Sequence, residues 1–248
     1  MTKLRWTLIL GAAMLGTPSA LLQAQEGKTG FLSKVHKGKD GDSKYVVFVP
    51  HAYTGEKEFP LILFLHGAGE RGDDGQAPVK QGIANGGIKF KNNEKNFPFF
   101  VIFPQCKVKG NWKAGSPDAE RALDILAEVQ KVYKIDEKRL YLTGLSMGGS
   151  GTWSLAAAYP NKWAAIAPIC GGGDPATADK IKHIPCWCFC GDRDAAKLVD
   201  ANRAMIKALK GAGGDPRYTE LPFVGHNSWD CAYVTPELYA WFLKQSIK

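Results

Sequence analysis

Long apolar runs are scarce in this sequence, and the one near its start, residues 6–15, is too short for a comfortable membrane-spanning helix. A basic stripe with interleaved aromatics is also missing. The formal charge is +8, yet Lys and Arg are scattered, and the densest basic stretch, residues 89–95, carries Glu94 and two asparagines and reads as a solvated loop. Nucleic acid is therefore not an expected partner, and a mild attraction to acidic polymers is the most the charge implies. There is no internal repeat and no linker, which leaves 248 residues as one α/β-sized domain with a large core. Zinc-type cysteine spacing is lacking too. Cys186, Cys188 and Cys190 alternate along one apolar strand, share a face and leave no room to wrap an ion, so buried free thiols and no metal are expected.

What is present begins with an export pattern. Lys3 and Arg5 precede the apolar run, and small residues at 18–20 and 23–25 offer cleavage points. Residues 1–24 read as a secretory signal cut after Ala24, and residues 25–248 as the mature catalytic domain. No cysteine lies near the cut, which argues against a lipid anchor. A secreted or periplasmic protein with no stable membrane association after cleavage is expected. Export permits disulfides. Cys106, Cys170 and Cys231 fall near predicted strand ends, and one pair among them is a candidate bridge, with the choice open.

Residues 31–36 and 45–50 read as two edge strands around a turn at 38–42. Residues 60–65 and 99–103 are continuous apolar runs of strand length, the pattern of a parallel sheet buried on both faces. Ser116-Pro117 opens a helix whose apolar residues recur at helical spacing to Val132. Strands follow at 140–143, 163–169, 186–190 and 218–221, with helices from Thr152 to about Tyr159, over 199–209 and over 236–247. Alternation of this kind implies a mainly parallel, twisted sheet of about eight strands with right-handed crossovers and helices on both faces.

The chemistry concentrates at Gly144-Leu145-Ser146-Met147-Gly148, a G-x-S-x-G turn between a strand and a helix. Glycines are needed there because the turn is too tight for a Cβ beside the serine, and the helix that follows aims its first amides at developing negative charge. Downstream come Gly191-Asp192-Arg193-Asp194 after one buried strand and Gly225-His226 after the last, in the order serine, acid, histidine. A serine needs a base to take its proton, and the base needs a carboxylate to fix its tautomer. His226 is the candidate base, since His36 and His51 sit at the amino-terminal strands, His66 in the turn after residue 65, and His183 before a strand, at its wrong end. The acid stays open at this point among Asp192, Asp194 and Asp174.

These motifs, with Leu65-His66-Gly67-Ala68-Gly69-Glu70-Arg71-Gly72 and Pro104-Gln105-Cys106, resemble the α/β-hydrolase superfamily, in its secreted carboxylesterase, dienelactone-hydrolase-like and predicted-peptidase branch. The resemblance spans nearly the whole chain after residue 24. It implies the α/β-hydrolase fold, with Ser146 as nucleophile, His226 as base and Asp194 as acid. The oxyanion hole would be the amides of Met147 and of Ala68, or of Gly69 in its place. Cys190 departs from the pattern, because relatives often carry histidine before that glycine. Arg71 and Gln105 are candidate substrate contacts, with a surface salt bridge the other reading for Arg71. Trp112 and Trp229 are core residues or site walls.

Such a triad performs acyl transfer and needs no metal or organic cofactor. The short span between Cys170 and Cys186 leaves no room for a cap domain, so an open site is expected. Open access suits esters on large substrates, such as acyl or feruloyl groups on polysaccharide. The alternatives are a serine peptidase of prolyl-oligopeptidase type and, outside enzymes, a carbohydrate-binding module on an inactive scaffold. The sequence is silent on oligomeric state.

Overall fold

The apolar strands predicted from the sequence line up in a computed structural model that describes residues 29–247; the signal reading for residues 1–24 lies outside them. Eight strands form one sheet: β1 (Gly30–Gly38), β2 (Gly41–Val49), β3 (Phe59–Leu65), β4 (Phe100–Phe103), β5 (Ile135–Leu145), β6 (Ala165–Ile169), β7 (Trp187–Gly191) and β8 (Arg217–Leu221). Their order is β1-β2-β4-β3-β5-β6-β7-β8. β1, β2 and β4 pair antiparallel, and every pairing from β4 across to β8 is parallel.

Strand alternation sorts the core into two layers. Leu61, Leu63 and Leu65 of β3 face one cluster, and Ile62 and Phe64 face the other. The first cluster is closed by helices α1 (Pro117–Val132), α2 (Met147–Ala158), the one-turn α3 (Ala178–Ile181) and α4 (Ala196–Gly211). The second is closed by Ile83, Ala84 and Ile88 together with α5 (Trp229–Tyr233) and α6 (Pro236–Leu243). Helix α1 starts as its sequence dictates: the Ser116 side chain accepts from the Ala119 amide, and Pro117 fills the first turn, where an amide would have no partner.

Several boundaries differ from expectation for physical reasons. The opening hairpin is tighter than the turn at 38–42 suggested, since Gly38 and Gly41 are already paired and Gly41 takes the positive φ of 95°. Of these two strands only β1 lies at an edge; β2 is interior, between β1 and β4, and residues 45–49 are buried accordingly. The helix after Ser146 begins at Met147 rather than Thr152, because packing against β3 and β6 overrides the poor helix propensity of Gly148, Gly149 and Gly151. The closing helix over 236–247 is cut to Pro236–Leu243. Between β6 and β7 the chain makes only a 3₁₀ turn (Pro175–Thr177) and α3, so no cap covers the carboxyl end of the sheet there.

Candidate active site

β5 runs straight into the turn that carries Ser146. The backbone there is forced to φ 54° and ψ −113°, a conformation hard for any residue with a Cβ. Two contacts hold it: the Ser146 amide donates to the Ile169 carbonyl at 2.9 Å, and Ser146 accepts from the Ser150 amide at 3.0 Å. A side chain at Gly148 would collide with the Leu65 carbonyl, and one at Gly144 with the carbonyls of Gly148 and Leu65. Close backbone approach thus explains both glycines of the pentapeptide.

The Ser146 hydroxyl donates to Nε2 of His226 at 2.8 Å, and Nδ1–H of His226 donates to Oδ2 of Asp194 at 2.8 Å. The Asp194 side chain is almost wholly buried, and its other oxygen accepts from the Ala195 amide at 2.7 Å. An aspartate held this way can only accept, so it fixes which imidazole nitrogen faces the serine. The two alternative acids are elsewhere. Asp192 is exposed, and Asp174 caps the 3₁₀ turn by accepting from the Ala176 amide. The loops bearing Asp194 and His226 are joined by Arg193 N–H to Val224 O at 2.9 Å and Asp192 N–H to Leu221 O at 3.0 Å. The remaining histidines are engaged away from Ser146: His36 with Glu128, His51 with Thr29 and Glu94, and His183 with Pro160.

Met147 is the first residue of α2, so its amide has no partner within the helix. Ala68 and Gly69 open the 3₁₀ turn Ala68–Glu70 after β3, and both are exposed. His66 is sealed beneath that turn. Its Nδ1–H donates to the Gly67 carbonyl at 2.5 Å, the Cys106 amide donates to Nε2 at 2.9 Å, and burial drives its pKa down to about 4. It is therefore a neutral strut at ordinary pH, with both ring nitrogens committed to backbone.

Four candidate contacts separate. Trp229 is half-buried, its ring edge-on to His226 at 5.5 Å, which makes it a wall of the site. Trp112 is core: it is 1% exposed and its indole N–H donates to the His66 carbonyl, bracing the chain just before the turn Ala68–Glu70. Gln105 is not free to meet substrate. Its amide nitrogen donates to Glu70 O and Asp74 Oδ1, and its oxygen accepts from the Gly75 amide. Arg71 makes no surface salt bridge; its Nε donates to Gly110 O and a terminal nitrogen lies 2.9 Å from Sδ of Met147.

Some participants carry no obvious sequence signal. Glu70, inside the motif at 65–72, tucks Oε2 against Gly67 without a hydrogen-bond partner, and burial raises its carboxyl above the ordinary range. Cys170, just after β6, takes a positive φ of 41°, which a sequence reader expects of glycine. All six cysteines are free thiols, Cys106, Cys170 and Cys231 included. Burial pushes Cys170 up to about 12 and Cys190 up to about 11, so neither offers a thiolate beside Ser146 at neutral pH. Cavities of about 570 and 580 Å³ lie at the opposite, amino-terminal end of the parallel strands, against Tyr133–Lys138 and Tyr159–Lys162.

No family model matches the chain. It is 31% identical over 138 residues to a bifunctional acetylxylan esterase/xylanase of Neocallimastix patriciarum, covering 54% of this chain and 19% of that protein. It is 30% identical over 164 residues to poly(3-hydroxyalkanoate) depolymerase C of Paucimonas lemoignei, covering 61% of this chain and 37% of that one. The chain thus spans well under half the length of these curated relatives. The crystal structure of a thermostable esterase superposes with a TM-score of 0.79 at 34% identity, over 87% of this chain and 63% of that one. Sheet order, the turn at Ser146 and these likenesses agree: the chain has the α/β-hydrolase fold and is similar to carboxylesterases that share it.

Proposed function

We propose that this protein is a serine hydrolase of carboxylic esters that works through an acyl-enzyme. The observation that carries the reading is the unbroken chain of two 2.8 Å hydrogen bonds from Ser146 through His226 to Asp194, ending on a buried carboxylate. His226 takes the hydroxyl proton as Ser146 Oγ attacks the ester carbonyl, and Asp194 stabilises the imidazolium. The oxygen that becomes negative meets the amides of Met147 and of Ala68 or Gly69, which are fixed before the reaction starts and so cost no reorganisation. His226 then returns the proton to the departing alcohol. A water activated by the same imidazole releases the acid.

The substrate class follows from access and likeness. Ser146 is half-buried and the His226 side chain is 42% exposed, so a carbonyl on a bulky chain can reach them. Relatives named for acetylxylan and poly(3-hydroxyalkanoate) act on polymeric esters. Acyl esters of plant polysaccharide, acetyl or feruloyl, are the proposed substrates. The export pattern at residues 1–24 fits that setting, outside the cell or in a periplasm, with residues 25–248 as one catalytic domain.

The test is turnover of p-nitrophenyl acetate, methyl ferulate and acetylated xylan by wild type and Ser146→Ala. Loss of about a millionfold in kcat is expected for the variant. Equal turnover by both proteins, or failure of Ser146 to react with a fluorophosphonate, would sink the proposal.

A further inference from the structure

Phe223 is the misfit of the site's rim. It is 75% exposed, and its φ of 62° puts it in the left-handed region. The turn Leu221-Pro222-Phe223-Val224 has proline second and a positive φ third, a place that turns normally give to glycine or asparagine. An aromatic residue there bears a steric cost that glycine would not, and its ring gains no burial in return. The guanidinium of Arg193 stands over one face of that ring at 4.7 Å.

The position of this pair matters. Phe223 lies three residues before His226, within about 11 Å of chain, and Arg193 directly precedes Asp194. In acyl transfer the departing alcohol must sit against His226 Nε2 to receive its proton, so it leaves on the side of the His226 loop. We infer that Phe223 and Arg193 form a platform for the alcohol part of the substrate, a pyranose ring of the esterified polysaccharide. The free face of the phenyl ring matches the C–H face of a sugar, and the guanidinium edge supplies donors to its hydroxyl or carboxylate oxygens. This inference rests on the polysaccharide-ester reading above and names the residues that select the alcohol.

Phe223→Gly removes the ring and suits the left-handed backbone, so the variant is expected to fold; Phe223→Trp keeps an aromatic face. The ratio of kcat/KM on acetylated xylan to that on p-nitrophenyl acetate should fall about tenfold in Phe223→Gly, through KM, and be kept in Phe223→Trp. A second readout needs no turnover: Ser146→Ala should be retarded in native gels containing soluble acetylated xylan, and Ser146→Ala with Phe223→Gly should not. An unchanged ratio overturns the inference. So does a loss on methyl ferulate relative to p-nitrophenyl acetate with xylan turnover kept, which would put Phe223 on the acyl side. If wild type cleaves no ester, the esterase reading fails and the gels alone decide: absence of retardation, or retardation indifferent to Phe223, overturns the platform.

Discussion

Ser146 and His66 illustrate how single residues here are held by backbone rather than by other side chains. Ser146 is strained at φ 54° and kept there by Ile169 O, and His66 is clamped between Gly67 O and the Cys106 amide. The clamp has a consequence for acid stability. An ordinary imidazole titrates near 6.5, whereas His66 in the fold is lowered to about 4 by burial. Between these values the unfolded chain binds a proton that the folded chain refuses, so stability is fully present above about pH 6.5 and is lost as pH falls toward 4. The loss amounts to about 3 kcal/mol from this residue. Urea denaturation from pH 7 to 4 should therefore show a shallower acid slope in His66→Gln than in wild type. An imidazole NMR signal of His66 titrating near 6.5 in the native protein would refute the account.

At the scale of elements, the turn at Ser146 is tight because β3, β5 and α2 come closer than side chains allow. A Cβ on Gly148 would meet the carbonyls of Leu65 and His66, which lead into the turn Ala68–Glu70. Gly148→Ala should cost about 3 kcal/mol in denaturant melts. It should also lower kcat more than the unfolded fraction explains, because the displaced strand end carries the amides of Ala68 and Gly69. Wild-type stability and kcat in this variant would mean that the turn relaxes freely and that close packing is not what the glycine serves. The Arg71 contact with Met147 and the Trp112 bond to His66 O brace the same pair of turns from the side and from below.

For the whole molecule, the sheet gathers the carboxyl ends of β3, β5, β7 and β8 on one side, and the site occupies that side with no cap inserted between β6 and β7. The chain carries a formal charge of +8. Such a field concentrates polyanions near the surface and is screened over about 10 Å at 0.1 M salt. Turnover of acetylated glucuronoxylan should accordingly fall several-fold between 20 and 300 mM NaCl, while p-nitrophenyl acetate, being neutral, should respond little. Parallel salt curves for the two substrates would rule out electrostatic recruitment.

The sequence alone determined what depends on local pattern. Apolar runs at 60–65 and 99–103, the proline-opened helix at 117 and the glycine-flanked Ser146 are each legible within a few residues, because burial and steric period act over that range. Family motifs extended this to His226 and Asp194. Tertiary structure decided everything that depends on which neighbour arrives. It buried Trp112, spent Gln105 on Glu70, Asp74 and Gly75, moved β2 to the interior and left all six thiols unbridged. Likewise no local rule puts a phenylalanine at φ 62° or a cysteine at φ 41°. Those conformations are imposed by contacts between segments far apart in the chain, and a one-dimensional pattern does not contain the energies of such contacts.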